Sequence, residues 1–187
     1  MNTTRRSIAA GALALTCTFG SLALTTTAQA QGRPEMDARG MASLRKLEAI
    51  NPRSRYYARH AEAVLIFPSI LKAGFVFGGQ SGNGVLFIHG KPAGYYNLTG
   101  GSWGLQIGAQ DFSYALFFMT PGSLDYLKRS DGFSAGTGPS ITIINQGGAA
   151  VANTQTVSSD VYAFPFNGRG LMADLTLQGT KISRIGN

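Results

Sequence analysis

TGGSWGLQIGAQ, residues Thr99 to Gln110, sets apolar Trp103, Leu105, Ile107 and Ala109 in strict alternation with Ser102, Gly104, Gln106, Gly108 and Gln110. The pattern reads as a strand with one apolar face and one small, polar face. Glycine inside a strand costs backbone entropy, so its recurrence here implies a neighbour lying close against that face. Outward from this stretch the chain stays β in character. FVFGG, GVLFIHG, AGYYNLT and FSYALFFM follow one another closely, with Gly82-Asn83-Gly84 and Gly90-Lys91-Pro92 read as turns between them. Such short spacing predicts antiparallel hairpins.

Upstream the period changes. Met41, Leu44, Leu47 and Ile50 recur at three-residue spacing, and Pro34 and Asp37 suit a helix start. That helix should stop at Asn51-Pro52, because proline disfavours helix in the residue before it. A second short helix is expected over Arg53 to Glu62. Ala63 to Phe67 then forms a continuous apolar strand, closed by Pro68-Ser69. Beyond Pro121-Gly122, Ser123 to Ser130 reads as one or two helical turns. Three further strands are expected around Ser140 to Asn145, Val161 to Phe166 and Leu171 to Gln178, with Pro165 making the middle one an edge or bulged strand. Gly147 to Ser159 reads as a loop. The predicted class is α+β, mostly β: N-terminal helices packed on a twisted antiparallel sheet or partly closed barrel.

The N-terminus carries its own signal. Arg5 and Arg6 precede an apolar run from Ile8 to Leu24, and Ala28-Gln29-Ala30 supplies the small residues a signal peptidase needs. Residues 1–30 are therefore expected to be a cleaved export signal, by the Sec or the twin-arginine route, leaving 31–62 as a helical segment and 63–187 as a β-rich core. The expected location is the periplasm or the secreted medium, with peripheral membrane association at the cell envelope. Cys17, the one cysteine, falls inside the signal, so neither a disulfide nor a cysteine-ligated metal site is expected in the processed chain. No cofactor and no metal site is predicted. Asp111, Asp125, Asp131, Asp160 and Asp174 are scattered, and His60 and His89 read as surface residues.

Two G-x-S-x-G matches, at Gly100 to Gly104 and Gly132 to Gly136, fall in a chain with 25 glycines. A nucleophile elbow also needs a downstream histidine, and both histidines lie upstream. Gly168 to Ala173 fits G-x-G-x-x-A but precedes strand-like alternation rather than a helix, which makes it a turn. No enzymatic activity is predicted. The aromatic set Tyr95, Tyr96, Trp103, Phe112, Tyr114, Phe117 and Phe118 reads as core. Asn97-Leu98-Thr99 matches a glycosylation sequon, but its strand setting argues against use.

Charge is placed unevenly. Without Arg5 and Arg6 the chain keeps 14 of its 16 basic residues against 9 acidic ones. Arg39, Arg45, Lys46, Arg53, Arg55 and Arg59 face only Glu48 between residues 39 and 59. In an exported protein such a segment points to anionic phospholipid or another acidic envelope surface, and not to nucleic acid.

AVLIFPSILKAGFVFGG (Ala63 to Gly79), YYNLTGG (Tyr95 to Gly101) and the TGGSWGLQIGAQ block together resemble the SYLF domain, a lipid-binding module of bacterial exported proteins and of eukaryotic membrane and actin regulators. The likeness runs from about Arg39 to Ile185. It implies a non-enzymatic module that binds anionic, phosphoinositide-like headgroups through a basic N-terminal helical face. Carried onto this chain by region, the lipid contacts are Arg45, Lys46, Arg53, Arg55 and Arg59, with Lys72 of ILKAGF added. Actin association is not implied for an exported chain. Gly40, inside the first helix, costs about 1 kcal/mol relative to alanine and argues against a long inserted helix. An alternative is a structural cell-envelope protein whose Gly-rich sheet packs on a partner or a second copy. A membrane-spanning barrel is disfavoured by the Ile185-Gly186-Asn187 ending, which lacks a terminal aromatic residue.

Overall fold

The computed structural model describes residues 25–74, 77–103, 108–129, 133–134, 138–144, 159–168 and 179–186. Two helices come first, α1 (Thr25–Ile50) and α2 (Pro52–His60). Four long strands follow: β1 (Ala63–Gly74), β2 (Phe77–Ile88), β3 (Lys91–Trp103) and β4 (Gly108–Phe118). Then come α3 (Pro121–Arg129), β5 (Phe133–Ser134), β6 (Ile141–Ile143), β7 (Val161–Phe166) and β8 (Thr180–Arg184). All eight strands join one sheet in the order β5-β8-β3-β2-β1-β4-β7-β6. Each described pairing is antiparallel except β6 with β7, which is parallel.

Residues alternate between two cores, one on each face of the sheet. Ala63, Leu65 and Phe67 point to one side with Leu98, Phe112, Tyr114, Leu116 and Phe118. The same cluster includes Phe133 of β5 and Ile182 of β8 from one edge, Val161 of β7 near the other, and Ile141 and Ile143 of β6 packed against it. Residues from both ends of the strand order thus meet in one core, so the sheet curls around it. The result is a partly closed barrel with α1 and α2 on its convex side and α3 packed through Leu124 and Leu127 on the inner core, α+β and mostly β as the sequence predicts. Val64, Ile66, Val85, Phe87, Ala115, Phe117, Phe164 and Phe166 face the convex side, where Leu47 of α1 is fully buried among them.

Helix ends follow local chemistry. Asn51 is the N-cap of α2, its Oδ1 accepting from the Arg53 backbone N–H at 3.1 Å, and Pro52 occupies the first turn. Thr120 plays the same part for α3, with its Oγ1 accepting from the Ser123 N–H at 3.3 Å ahead of Pro121. His89 and Gly90, at φ 49° and 76°, form the β2–β3 turn.

Four local expectations are corrected. α1 begins at Thr25, with Pro34 inside it, and not at Pro34. Gly82-Asn83-Gly84 is no turn, for β2 runs straight through it. A Cβ on Gly82 would lie 2.6 Å from the Ser69 carbonyl oxygen, and one on Gly84 2.6 Å from that of Ile66. These glycines admit β1 at its bulge. Pro68-Ser69 is that bulge, where the register of β1 shifts against both β2 and β4, so β1 continues to Gly74. Finally, the ends of TGGSWGLQIGAQ belong to different strands: Thr99 to Trp103 pair with β2, Gly108 to Gln110 with β1, and residues 104–107 lie outside the described set. Alternation alone does not mark where a chain leaves one strand and enters another.

The tail strands expected near Ser140 and over Val161 to Phe166 are β6 and β7. Pro165 pairs with Tyr114 on one side and lies past the β6 ladder, which ends at Ala163, so it occupies edge backbone. Leu171 to Gln178, and the expected loop apart from Ser159, lie outside the described residues. β8 was not foreseen.

Candidate functional site

α1 and α2 both pack on the convex core, so the remaining side of each faces away from the sheet. Tyr57 anchors α2: its ring centroid is 4.3 Å from that of Tyr162, 5.4 Å from Phe164 and 6.3 Å from Phe117. Burial raises the Tyr57 hydroxyl above its ordinary pKa, with Tyr162 adding to the effect. Ser54, on the same side, is fully buried and donates to the Asn51 carbonyl at 2.7 Å. Helical geometry then puts Arg55 and Arg59 together on the opposite side.

α1 is held in the same way. Gly40 is buried, and a Cβ there would collide with Val85 Cγ1 and press on the Phe87 ring. This glycine is a contact point between helix and sheet, which explains a residue that composition alone marks as a helix weakness. The Tyr95 hydroxyl donates to Asp37 Oδ1 at 3.0 Å, and the Arg33 guanidinium sits 5.4 Å from the Tyr95 ring centroid. Burial first, then the bond to Asp37, raises the Tyr95 pKa. Gly32, Arg33, Met36, Gly84 and Tyr95 line a cleft of about 160 Å³ at this end of α1. Sequence reasoning missed it, because it joins residues fifty positions apart.

Five of the six predicted contacts share the convex layer. Arg45, Lys46, Arg53, Arg55 and Arg59 are all exposed. The Arg55 Nε donates to the Glu48 carbonyl at 2.8 Å, which ties α2 to the last turn of α1 and leaves its other nitrogens outward. Among the described residues none of the five forms an ion pair; the one salt bridge joins Arg39 to Glu35 at 3.7 Å. Two large apolar side chains stand out beside them, Tyr56 at 60% and Ile50 at 50% exposure. Tyr56 stacks on His60 with centroids 4.2 Å apart, and the His60 ring bonds the Tyr56 carbonyl through Nδ1 at 2.7 Å. A cationic layer carrying exposed aromatic and aliphatic groups can meet a surface that is anionic outside and apolar beneath.

Lys72 is elsewhere. It is 8% exposed on β1, two residues after Ile70 of the concave core, and so lies on the sheet face opposite the arginines.

No catalytic constellation emerges among the described residues. Ser102 lies within β3 paired to Gly78, His89 sits at the far turn of the β2–β3 hairpin, and His60 ends α2. The described residues hold no group of three or more His, Cys, Asp or Glu side chains able to share a metal ion, and no described helix is long and apolar enough to cross a membrane. Of the aromatic set, Tyr96, Phe112, Tyr114, Phe117 and Phe118 are buried, and burial raises the Tyr114 hydroxyl well above its ordinary pKa.

Comparison with known proteins agrees with the resemblance read from the glycine blocks. Residues 99–186 match the family model Ysc84, described as Las17-binding protein actin regulator. Curated proteins yield no match. The matched segment runs from the end of β3 through β8, and α1, α2, β1 and β2 precede it. Over this segment, a little under half of the chain, the protein is similar to the Ysc84 family, in line with the SYLF resemblance.

Proposed function

We propose that this protein is a non-enzymatic, exported module that docks on anionic phospholipid through the outer side of α1 and α2. One observation carries the reading: Arg45, Lys46, Arg53, Arg55 and Arg59 lie exposed on one layer without a carboxylate partner among the described residues, next to exposed Tyr56 and Ile50. Each cation near an anionic surface contributes on the order of 1 kcal/mol, so five give about 5 kcal/mol, a weak and reversible attachment. Tyr56 and Ile50 add apolar contact at the headgroup boundary. The family description names actin regulation, but an export signal at Arg5 to Ala30 would put the chain out of reach of actin, and that role is not carried over.

Co-sedimentation with vesicles tests this. Binding should require anionic lipid and weaken with salt, since screening shortens the reach of exposed charges to about 10 Å at 0.1 M. Reversing Arg53, Arg55 and Arg59 to Glu should weaken it about a hundredfold, the equivalent of three lost contacts. Equal binding to neutral vesicles would contradict the proposal.

A second reading rests on the bare part of the sheet. Leu71, Ala73, Gly79 and Gly101 are exposed on the convex face beyond the helices, with Leu71 at 55%. The row through Leu71 runs Asp111, Leu71, Ser81, Thr99, Lys181 across five strands, with an acid at one end and a base at the other. A second copy turned about an axis parallel to the strands would set Asp111 against Lys181 at both ends. Light scattering that finds a strict monomer would remove this reading.

A further inference from the structure

We propose that Lys72, Gln80 and Gln110 form a receptor for a phosphate-type oxyanion on the concave face of the sheet, distinct from the arginine layer. The register places them side by side: Lys72 of β1 is the direct partner of Gln80 on β2 and of Gln110 on β4. Direct cross-strand partners share a face, with Cβ atoms about 5 Å apart. That face is the concave one, because Ile70 and its partner Phe112, one row below, belong to the barrel core. One row above, Gly74 pairs with Gly78 and Gly108, so no side chain rises beside the polar row on that side of these three strands.

The need for a partner is physical. Lys72 is more than nine-tenths buried, yet it makes no hydrogen bond or ion pair among the described residues. A charged side chain held in such a place without a partner is costly, and an anion relieves the cost. The flanking amides are likewise without side-chain hydrogen bonds among the described residues. Each can donate two N–H groups beside the three of the ammonium. The nearest carboxylate in sequence, Asp111, projects to the other face, where Ser69 Oγ donates to it at 2.8 Å. A row of donors around one cation fits a compact oxyanion with acceptors on several sides, as phosphate has, whether free or carried by a lipid headgroup.

Side-chain amide NMR of the full chain, titrated with inorganic phosphate to about 10 mM, reads the site directly, since millimolar affinity is within reach of a few charge-assisted bonds. Gln80 and Gln110 resonances should move together in a saturable way. Lys72→Met, which keeps the length of the stem, should weaken phosphate binding at least about tenfold, and Gln80→Ala should weaken it less. Vesicles of phosphatidic acid separate the sources: a headgroup ligand makes Lys72→Met lose vesicle binding, and a free anion leaves it unchanged. Failure of vesicle docking in R53E/R55E/R59E with the phosphate response retained would concern the arginine layer alone. Unmoved glutamine resonances in the parent chain, or an unaltered response in Lys72→Met, would overturn the proposal and mean that the ammonium reaches solvent along its own stem.

Discussion

The sheet has a backed half and a bare half. Where α1 and α2 cover it, Val64, Ile66, Val85, Phe87 and Phe117 are buried on the convex face while Leu65, Leu86 and Leu116 are buried on the other. Where β1 and β2 extend past the bulge at Pro68-Ser69, the convex positions are Leu71, Ala73, Gly79 and Ser81, all exposed. The same strands thus serve two environments, and side-chain size follows cover. Bulky residues stand under the helices, and, Leu71 apart, small ones stand where no described element lies above. Arg45, Lys46, Arg53, Arg55 and Arg59, exposed and without an ion pair among the described residues, sit on the helices, and the bare row through Leu71 carries one acid, Asp111, and one base, Lys181.

The largest effect should come from the joint between the halves. Gly84→Val drives a side chain into the Ile66 carbonyl and the Phe67 ring, both 2.6 Å from the first added carbon. Destabilisation on the order of 3 kcal/mol or more is expected in denaturant unfolding. Next comes function: the triple reversal of Arg53, Arg55 and Arg59 should abolish most vesicle binding while leaving the unfolding midpoint nearly unchanged, because these side chains are exposed. Gly40→Ala tests the helix seat. Propensity alone would favour alanine by about 1 kcal/mol, but the collision with Val85 should reverse the sign and lower stability by about 1 kcal/mol.

Asp160 gives a pH signature on the far side of the sheet. Its Oδ2 accepts from the Ser140 Oγ at 2.8 Å and the Ser140 N–H at 3.1 Å, and its Oδ1 from Thr120 at 3.3 Å. The Ser140 bonds, side chain first and backbone second, hold the carboxyl below its ordinary value of 3.8; burial opposes them, and the Thr120 bond adds a smaller lowering. A lowered folded-state pKa means that the contribution is whole above that ordinary value and fades as pH falls through the lowered one. Asp160→Ala should cost about 1 kcal/mol at neutral pH, the modest worth of bonds at a partly solvated group, and the difference from the parent should shrink in acid. The smallest effect belongs to the bare half. Gly79→Ala meets only the Gly100 carbonyl, at 3.9 Å, and should be neutral or stabilising by a few tenths of a kcal/mol.

The helices, the α2 boundary at Asn51-Pro52 and the hairpin turn at Gly90 were legible because each rests on local chemistry: three-residue apolar spacing, a proline after a capping side chain, a glycine free to take a positive φ. What escaped was long-range. Gly82 and Gly84 look like turn residues until the bulge in β1 is placed against them, and Gly40 looks like a defect until Val85 lies beneath it. The same holds for the candidate site. The arginines share consecutive helical turns, a grouping local spacing displays, whereas Lys72 lies on the other face, and a strand residue's face depends on the register of β1 across the Pro68-Ser69 bulge. The cleft between Arg33 and Tyr95 carried no local signal at all.

A polarity-sensitive dye can ask which half meets the membrane. In a background lacking Cys17, the chain's one cysteine, single labels at Tyr56→Cys on α2 and at Leu71→Cys on the bare strands should respond differently to anionic vesicles. Docking through α1 and α2 predicts a blue shift at position 56 that salt reverses, and none at position 71. A shift at 71 with none at 56 would contradict it.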